Sequence, residues 1–306
     1  MTVTCTSASA ELGESVAATA AVATTWLLVE QPGPWGNKAL TSSRLDPAVG
    51  RELEHLADGT GVRVALIRRP GRHADRHTPA AHRVFLAHTA PGSSWVRTGS
   101  VADPAELTAL DLTALGAGTH GGFGKAYTGP PLALVCTNGR RDRCCAVQGR
   151  PLVTALAAAE GPGIWEATHL GGHRFSPTVL VLPYGYAYGR VDARLAKEVL
   201  TAAHAGRITL DGCRGRSFWD RPGQAADLAV RALTGEDRED ALTVSGAAPD
   251  GPDGWTVRVA HTDGRAWDVG VSRTAGQPPR PESCGGALGT PAAFTADRVA
   301  AVSGPS

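Results

Sequence analysis

Short apolar runs alternate with helical stretches over most of the chain. Thr25 to Glu30 (Thr-Trp-Leu-Leu-Val-Glu) encloses the apolar run Trp26 to Val29, which predicts a buried strand, and the turn formers Gln-Pro-Gly-Pro-Trp-Gly end it. Val49, Leu53 and Leu56 recur at helical spacing, so 46–57 reads as a helix and Arg63 to Ile67 as a second strand. Val84 to Ala87 and Trp95 to Val101 read as antiparallel strands around Pro91-Gly92, followed by a helix over 104–115. The order then recurs. Leu132 to Val135 is a strand, 146–160 a helix with Leu152, Val153 and Leu156 on one face, and Gly163 to Ala167 a strand. A hairpin of Val179 to Pro183 and Tyr186 to Val191 follows, then helices over 192–205 and about 222–234.

Strand, crossover helix, parallel strand and hairpin make a thioredoxin-like α/β plan. The preferred reading is two tandem thioredoxin-like domains with a short C-terminal β segment; the rival is a single larger α/β sheet that repeats βα units. The expected boundaries are a flexible start at 1–20, a first domain without a cofactor at 21–125, a second domain at 126–238 and a β-rich extension at 239–306. In the extension, Trp255 to Ala260 and Ala266 to Val271 alternate around Thr262-Asp263-Gly264, a hairpin signal, and should pack on the second domain. Residues 274–290, rich in Pro and Gly, read as irregular.

Bulk composition narrows the function classes. Hydrophobic residues make up 42% and charged residues 19%, as in a globular chain. A net charge of +1 gives no reason to expect nucleic acid or an anionic membrane as partner. No apolar run reaches the length of a membrane span, and residues 1–20 lack the basic start and apolar centre of a signal peptide. The six cysteines (5, 136, 144, 145, 213 and 284) are sparse, and three are bunched. That suits a reduced, cytoplasmic setting and a metal or redox site better than a disulfide framework.

The chemistry concentrates in two loops, each at the end of a predicted strand. One reads Cys136-Thr-Asn-Gly-Arg-Arg-Asp-Arg-Cys144-Cys145, the other His169-Leu-Gly171-Gly172-His173. Soft and borderline donors in this number suggest a transition metal. Zinc knuckles space their cysteines two to four residues apart, whereas Cys136 and Cys145 enclose eight residues, enough for a bulkier group. A Rieske centre mixes Cys and His on each loop; here the types are segregated. Spacing alone leaves Cys144 and Cys145 as alternatives.

Residues 136–151 (Cys-Thr-Asn-Gly-Arg-Arg-Asp-Arg-Cys-Cys-Ala-Val-Gln-Gly-Arg-Pro) and 165–175 (Trp-Glu-Ala-Thr-His-Leu-Gly-Gly-His-Arg-Phe) resemble the sucrase/ferredoxin-like family. So do 26–36 (Trp-Leu-Leu-Val-Glu-Gln-Pro-Gly-Pro-Trp-Gly), Tyr-Gly-Arg-Val at 188–191 and Arg-Gly-Arg-Ser at 214–217; the resemblance runs from about 22 to 235. It implies a thioredoxin-like ferredoxin domain with a [2Fe–2S] cluster on two Cys and two His. Carried over by position, the ligands are Cys136, Cys145, His169 and His173, the C-x8-C pattern favouring Cys145. Gly171 and Gly172 would let the backbone turn sharply and approach the cluster. Two thiolates and two neutral imidazoles leave an oxidised cluster formally neutral, so its potential should exceed that of an all-Cys ferredoxin and should fall as pH rises. The implied role is electron transfer with a redox partner such as a flavoprotein reductase, a carrier rather than an enzyme with its own substrate. The alternatives are a thioredoxin-like thiol oxidoreductase using Cys144 or Cys145, and a zinc-stabilised binding module.

Other polar groups have plainer readings. Arg140, Arg141 and Arg143 are either a docking patch for an acidic partner or a solvated loop. Cys5, Cys213 and Cys284 each stand alone in the sequence and read as structural. His73, His77, His82 and His88 read as a solvated run rather than a second metal site, and Trp165 and Phe175 as core residues that shield the His loop.

Overall fold

The computed structural model describes residues 4–71 and 80–302. The first part of the chain contains α1 (Cys5–Glu11), β1 (Thr25–Glu30), α2 (Ala39–Ser42), α3 (Pro47–Ala57), β2 (Val62–Arg68), β3 (His82–His88), β4 (Trp95–Val101), α4 (Leu112–Gly116) and β5 (Lys125–Ala126). The middle contains β6 (Leu132–Cys136), α5 (Arg143–Glu160), β7 (Ile164–Ala167), β8 (Val179–Leu182), β9 (Tyr186–Tyr188), α6 (Ala193–His204), β10 (Cys213–Arg216) and α7 (Arg221–Thr234). The last part contains β11 (Leu242–Pro249), β12 (Gly254–His261), β13 (Ala266–Ala275), β14 (Arg280–Pro281), β15 (Leu288–Gly289) and β16 (Ala292–Ala301).

Strands β1 to β10 form one mixed sheet in the order β10-β9-β8-β6-β7-β2-β1-β3-β4-β5. The same local plan occurs twice within it. β1 and β2 are parallel, β3 runs antiparallel to β1, and β4 pairs with β3. β6 and β7 are parallel, β8 runs antiparallel to β6, and β9 pairs with β8. The two plans meet where β2 and β7 pair antiparallel through Ile67–Ala167 and Arg68–Glu166.

The burial follows from the apolar runs. Every residue of β6 (Leu-Ala-Leu-Val-Cys) is buried, as expected of a strand covered on both faces. One set of its side chains (Ala133, Val135) packs on Leu152, Val153 and Leu156 of α5 and Val199 and Leu200 of α6. The other set (Leu132, Leu134, Cys136) shares a core with Trp26, Leu28, Phe85 and Trp165, which draws on both plans. The sheet bends enough for Trp26 of β1 to donate its indole N–H to Ser217, just after β10, at 3.1 Å.

The structure departs from the sequence reading in several places, among them the strand β10 and the start of α5 at Arg143 rather than 146. The stretch 104–115, read as one helix, is a 3-10 turn (Pro104–Ala109) and the short α4, each started by its own Asp cap. Residues read as a flexible start form α1, capped by Thr4, with Cys5, Thr6 and Ser9 buried. The C-terminal hairpin of β12 and β13 is widened by β11 and β16 to a four-stranded antiparallel sheet, whose apolar face packs on Ala226 and Val230 of α7. The stretch 274–290, read as irregular, contains the small ladder β14–β15. No helix among the described residues is long and apolar enough to cross a membrane.

Candidate metal centre

β6 and β7 are parallel neighbours, with Cys136 opposite Ala167 at their last pair. The Cys loop and the His loop therefore leave the carboxyl ends of neighbouring interior strands side by side, the place where open α/β sheets hold ligands. The Cys loop turns into α5, whose cap is Asp142: its Oδ1 accepts the Cys144 N–H at 2.9 Å. Gly149 lets α5 lie close to the end of β6, since a side chain there would strike the Cys136 carbonyl. Cys144 and Cys145 both fall in the first helical turn, where successive side chains diverge by about 100°.

That divergence sends the two thiols to different neighbours. Cys145 meets Cys136. Cys136 also meets the His169 ring, and the hydrogen bond from Cys145 together with that ring holds its pKa well below the ordinary thiol value despite full burial. Cys145 is correspondingly pushed up. The His169 and His173 rings lie 5.1 Å apart between centroids. Both Nδ1 atoms are buried without a hydrogen-bond partner, two of six such side-chain atoms among the described residues. Leaving a buried polar atom unsatisfied costs about 1–3 kcal/mol, so two in adjacent rings are nitrogens that no protein group claims. Two thiols and two imidazoles are thus brought to one end of the sheet, a set of soft and borderline donors of the kind that transition metals take.

The His loop is braced from β10. Gly171 and Gly172 both have left-handed φ (84° and 67°). Arg214 donates from Nη1 to the Gly171 carbonyl at 3.0 Å, while its other nitrogens are held by the Thr19 carbonyl and hydroxyl. It is 1% exposed, and burial pulls its pKa down to about 9, so it remains charged at neutral pH. Its motif, Arg-Gly-Arg-Ser, is visible in the sequence, but its position against the His loop is not. Trp165 and Phe175 are fully buried, as expected.

Cys144 faces elsewhere. Its Sγ lies 3.7 Å from Cys5 and 3.1 Å from Cys284, and Cys5 and Cys284 are 3.5 Å apart. The Cys5 thiol donates to both Asp142 oxygens at 3.6 and 3.7 Å. Asp142 also lies 3.8 Å from His173 Nε2. Among the described residues, Cys5, Asp142, Cys144 and Cys284 are the group of possible metal ligands whose donor atoms all fall within 4.8 Å of one another. The tightest cluster of donors is thus Cys and Asp, without His. Hydrogen bonds from Cys5 and Thr6 pull the Cys144 thiol down to about 5, while Cys5 is pushed up. All six cysteines are free thiols. Sequence reading missed this group because its cysteines come from segments more than a hundred residues apart.

The remaining sequence candidates scatter. His82 and His88 occupy opposite ends of β3, hydrogen-bonded to the Glu30 carbonyl at 2.7 Å and the Thr25 hydroxyl at 2.8 Å. His73 and His77 lie outside the described residues. Cys213 is buried in the core beneath α6 and α7. Arg140, Arg141 and Arg143 are exposed.

A family model described as sucrase/ferredoxin-like matches residues 16–215, well over half of the 306-residue chain. The chain belongs to the sucrase/ferredoxin-like family. No curated protein and no solved structure matches it. The match spans all of Cys136, Cys145, His169 and His173, whereas Cys5 and Cys284 fall outside it. The two groups of donors thus differ in how far the sucrase/ferredoxin-like region accounts for them.

Proposed function

We propose that the chain is a one-electron carrier that holds a [2Fe–2S] cluster on Cys136, Cys145, His169 and His173. The observation that carries this reading is the meeting of Cys136, Cys145 and His169, with His173 alongside and both imidazole Nδ1 atoms buried and unpartnered. Membership of the sucrase/ferredoxin-like family supports it. The doubled strand plan supports two tandem thioredoxin-like units, 21–125 and 126–238, of which the second carries the ligands.

When bound, such a cluster supplies reversible one-electron chemistry. The chain contributes the rest. Cys136, already depressed in pKa, is ready to act as a thiolate. Arg214 fixes the Gly171 carbonyl and hence the span between the two histidines. Trp165 and Phe175 exclude water from the loop. His173 has Asp142 3.8 Å from its Nε2, a carboxylate toward which that nitrogen can hold a proton. The exposed Arg140, Arg141 and Arg143 offer a docking patch for an acidic face of a redox partner such as a flavoprotein reductase. The free thiols are in keeping with a cytoplasmic setting.

The test is anaerobic purification after expression with adequate iron and cluster assembly. The protein should be brown, with about two irons and two labile sulfides per chain. Cys136→Ser should lose the colour, and His173→Cys should retain a cluster at a lower potential. A colourless protein that contains only zinc would overturn the proposal.

A further inference from the structure

The four donors around Asp142 are unused by the carrier reading. They come from α1 (Cys5), from the start of α5 (Asp142, Cys144) and from the segment after β14 (Cys284). Three thiols in mutual contact can form only one disulfide, which would leave the third thiol and a buried carboxylate beside it. A divalent cation satisfies all four donors at once.

The separations fit that alternative. A tetrahedral ion with metal–sulfur bonds of about 2.3 Å places two thiolates about 3.8 Å apart, and a thiolate and a carboxylate oxygen about 3.6 Å apart. Two Sγ–Sγ separations, 3.7 and 3.5 Å, are close to these values, the third, 3.1 Å between Cys144 and Cys284, must widen on binding, and Cys5 Sγ stands 3.6 and 3.7 Å from the Asp142 oxygens. The supporting shell is also in place. Asp142 Oδ1 accepts the Cys144 N–H at 2.9 Å and Oδ2 accepts the Cys284 N–H at 2.8 Å, which orients the carboxylate without using up its lone pairs. Ion pairs brace the segments that supply or flank the donors. Arg174, next to His173, reaches Glu14 at 2.9 Å and Glu282 at 3.2 Å, and Arg280 reaches Glu14 at 2.8 Å.

We propose that Cys5, Cys144, Cys284 and Asp142 bind one zinc ion, which ties the N-terminal helix and the C-terminal extension to the head of α5. The ion displaces the thiol protons to solvent, and no redox change accompanies binding. The site stands apart from the cluster reading. Its donors do not include Cys136, Cys145, His169 or His173, and two of them lie outside the stretch that marks the family.

The test is metal analysis of the full chain and of its Cys284→Ser, Cys284→His and Cys136→Ser variants, with zinc and iron counted separately. Wild type should hold one zinc per chain after dialysis. Cys284→Ser should lose at least nine-tenths of it while iron and visible absorption stay unchanged. Cys284→His, which restores a zinc donor, should recover most of the zinc, so a folding defect is separated from a lost ligand. Cys136→Ser should keep the zinc, whether or not it loses iron. Cobalt added to zinc-stripped protein should give the thiolate charge-transfer and d–d bands of a tetrahedral site. The proposal falls if wild type contains no zinc, if Cys284→Ser keeps its zinc, if iron rather than zinc follows Cys284, or if intact-mass analysis finds two of these three cysteines joined as a disulfide in the isolated protein.

Discussion

Gly172→Ala should damage the candidate cluster site through Arg214. Gly172 has φ 67°, and an added Cβ would overlap the Arg214 guanidinium well inside van der Waals contact. Two costs follow. A non-glycine residue in the left-handed region costs about 1–2 kcal/mol. Displacing Arg214 breaks its 3.0 Å bond to the Gly171 carbonyl, and a bond from a charged donor contributes about 1.5–3 kcal/mol. The sum, about 2.5–5 kcal/mol, is a large part of the stability of an ordinary domain. Gly171→Ala supplies the control. It bears the same backbone cost at φ 84°, but its Cβ would meet only Ala21 at 3.6 Å, an ordinary contact. Urea unfolding followed by fluorescence should therefore place Gly172→Ala below Gly171→Ala by about the Arg214 contribution, with unchanged m values. Iron bound per chain should fall further in Gly172→Ala, because Arg214 fixes the backbone between the two histidines. If the two variants were equally stable and bound equal iron, Arg214 would have no part in shaping the His loop.

Two further perturbations test other parts of the structure. Glu166→Ala removes the carboxylate that Arg68 meets at 2.7 Å and that the Thr137 hydroxyl donates to at 2.7 Å, both buried at the seam between β2 and β7. It should cost about 3–5 kcal/mol in urea unfolding, and the double change Arg68→Met with Glu166→Leu should cost far less; equal costs would refute the assignment. The second concerns acid. Burial alone would raise the Glu14 pKa, but its bonds to Arg280 and Arg174 outweigh that and hold it below the ordinary 4.5. A depressed carboxyl contributes stability that is present above its unfolded pKa and lost as pH falls through its folded pKa. Unfolding measured between about pH 6 and pH 3 should show wild type losing more stability than Glu14→Gln, and parallel curves would sink the assignment.

How much of this was legible depends on whether the signal is local. The strands β1, β6 and β8 are unbroken apolar runs and were readable to within a residue or two. The helix over 104–115 misled because Leu107, Leu110 and Ala114 keep helical intervals while Asp111 starts a second helix and breaks the first. β11 and β16 escaped notice because much of each strand is exposed, so neither carries a clean apolar alternation along its length. That the Cys136 and His169 loops lie side by side was legible, because the strands that precede them were read as a parallel pair joined by a helix, as β6 and β7 are. The group of Cys5, Cys144 and Cys284 was not, since nothing local in the sequence ties positions 5 and 284 to the Cys loop.

Helix phase sends Cys144 and Cys145 to different neighbours, and Asp142 is what sets that phase. Its cap on the Cys144 N–H begins α5 at Arg143, so that Cys145 turns inward to Cys136 and Cys144 outward to Cys5. A start one residue later would rotate both thiols by about 100° and separate Cys145 from Cys136. The same carboxylate then takes the Cys284 N–H and faces His173 Nε2, so one side chain borders both groups of donors. This predicts an asymmetry between the groups. Asp142→Asn keeps an oxygen to cap the helix but removes the charge. It should leave Cys145 beside Cys136 and the iron content near wild type, while zinc affinity at the three thiols falls.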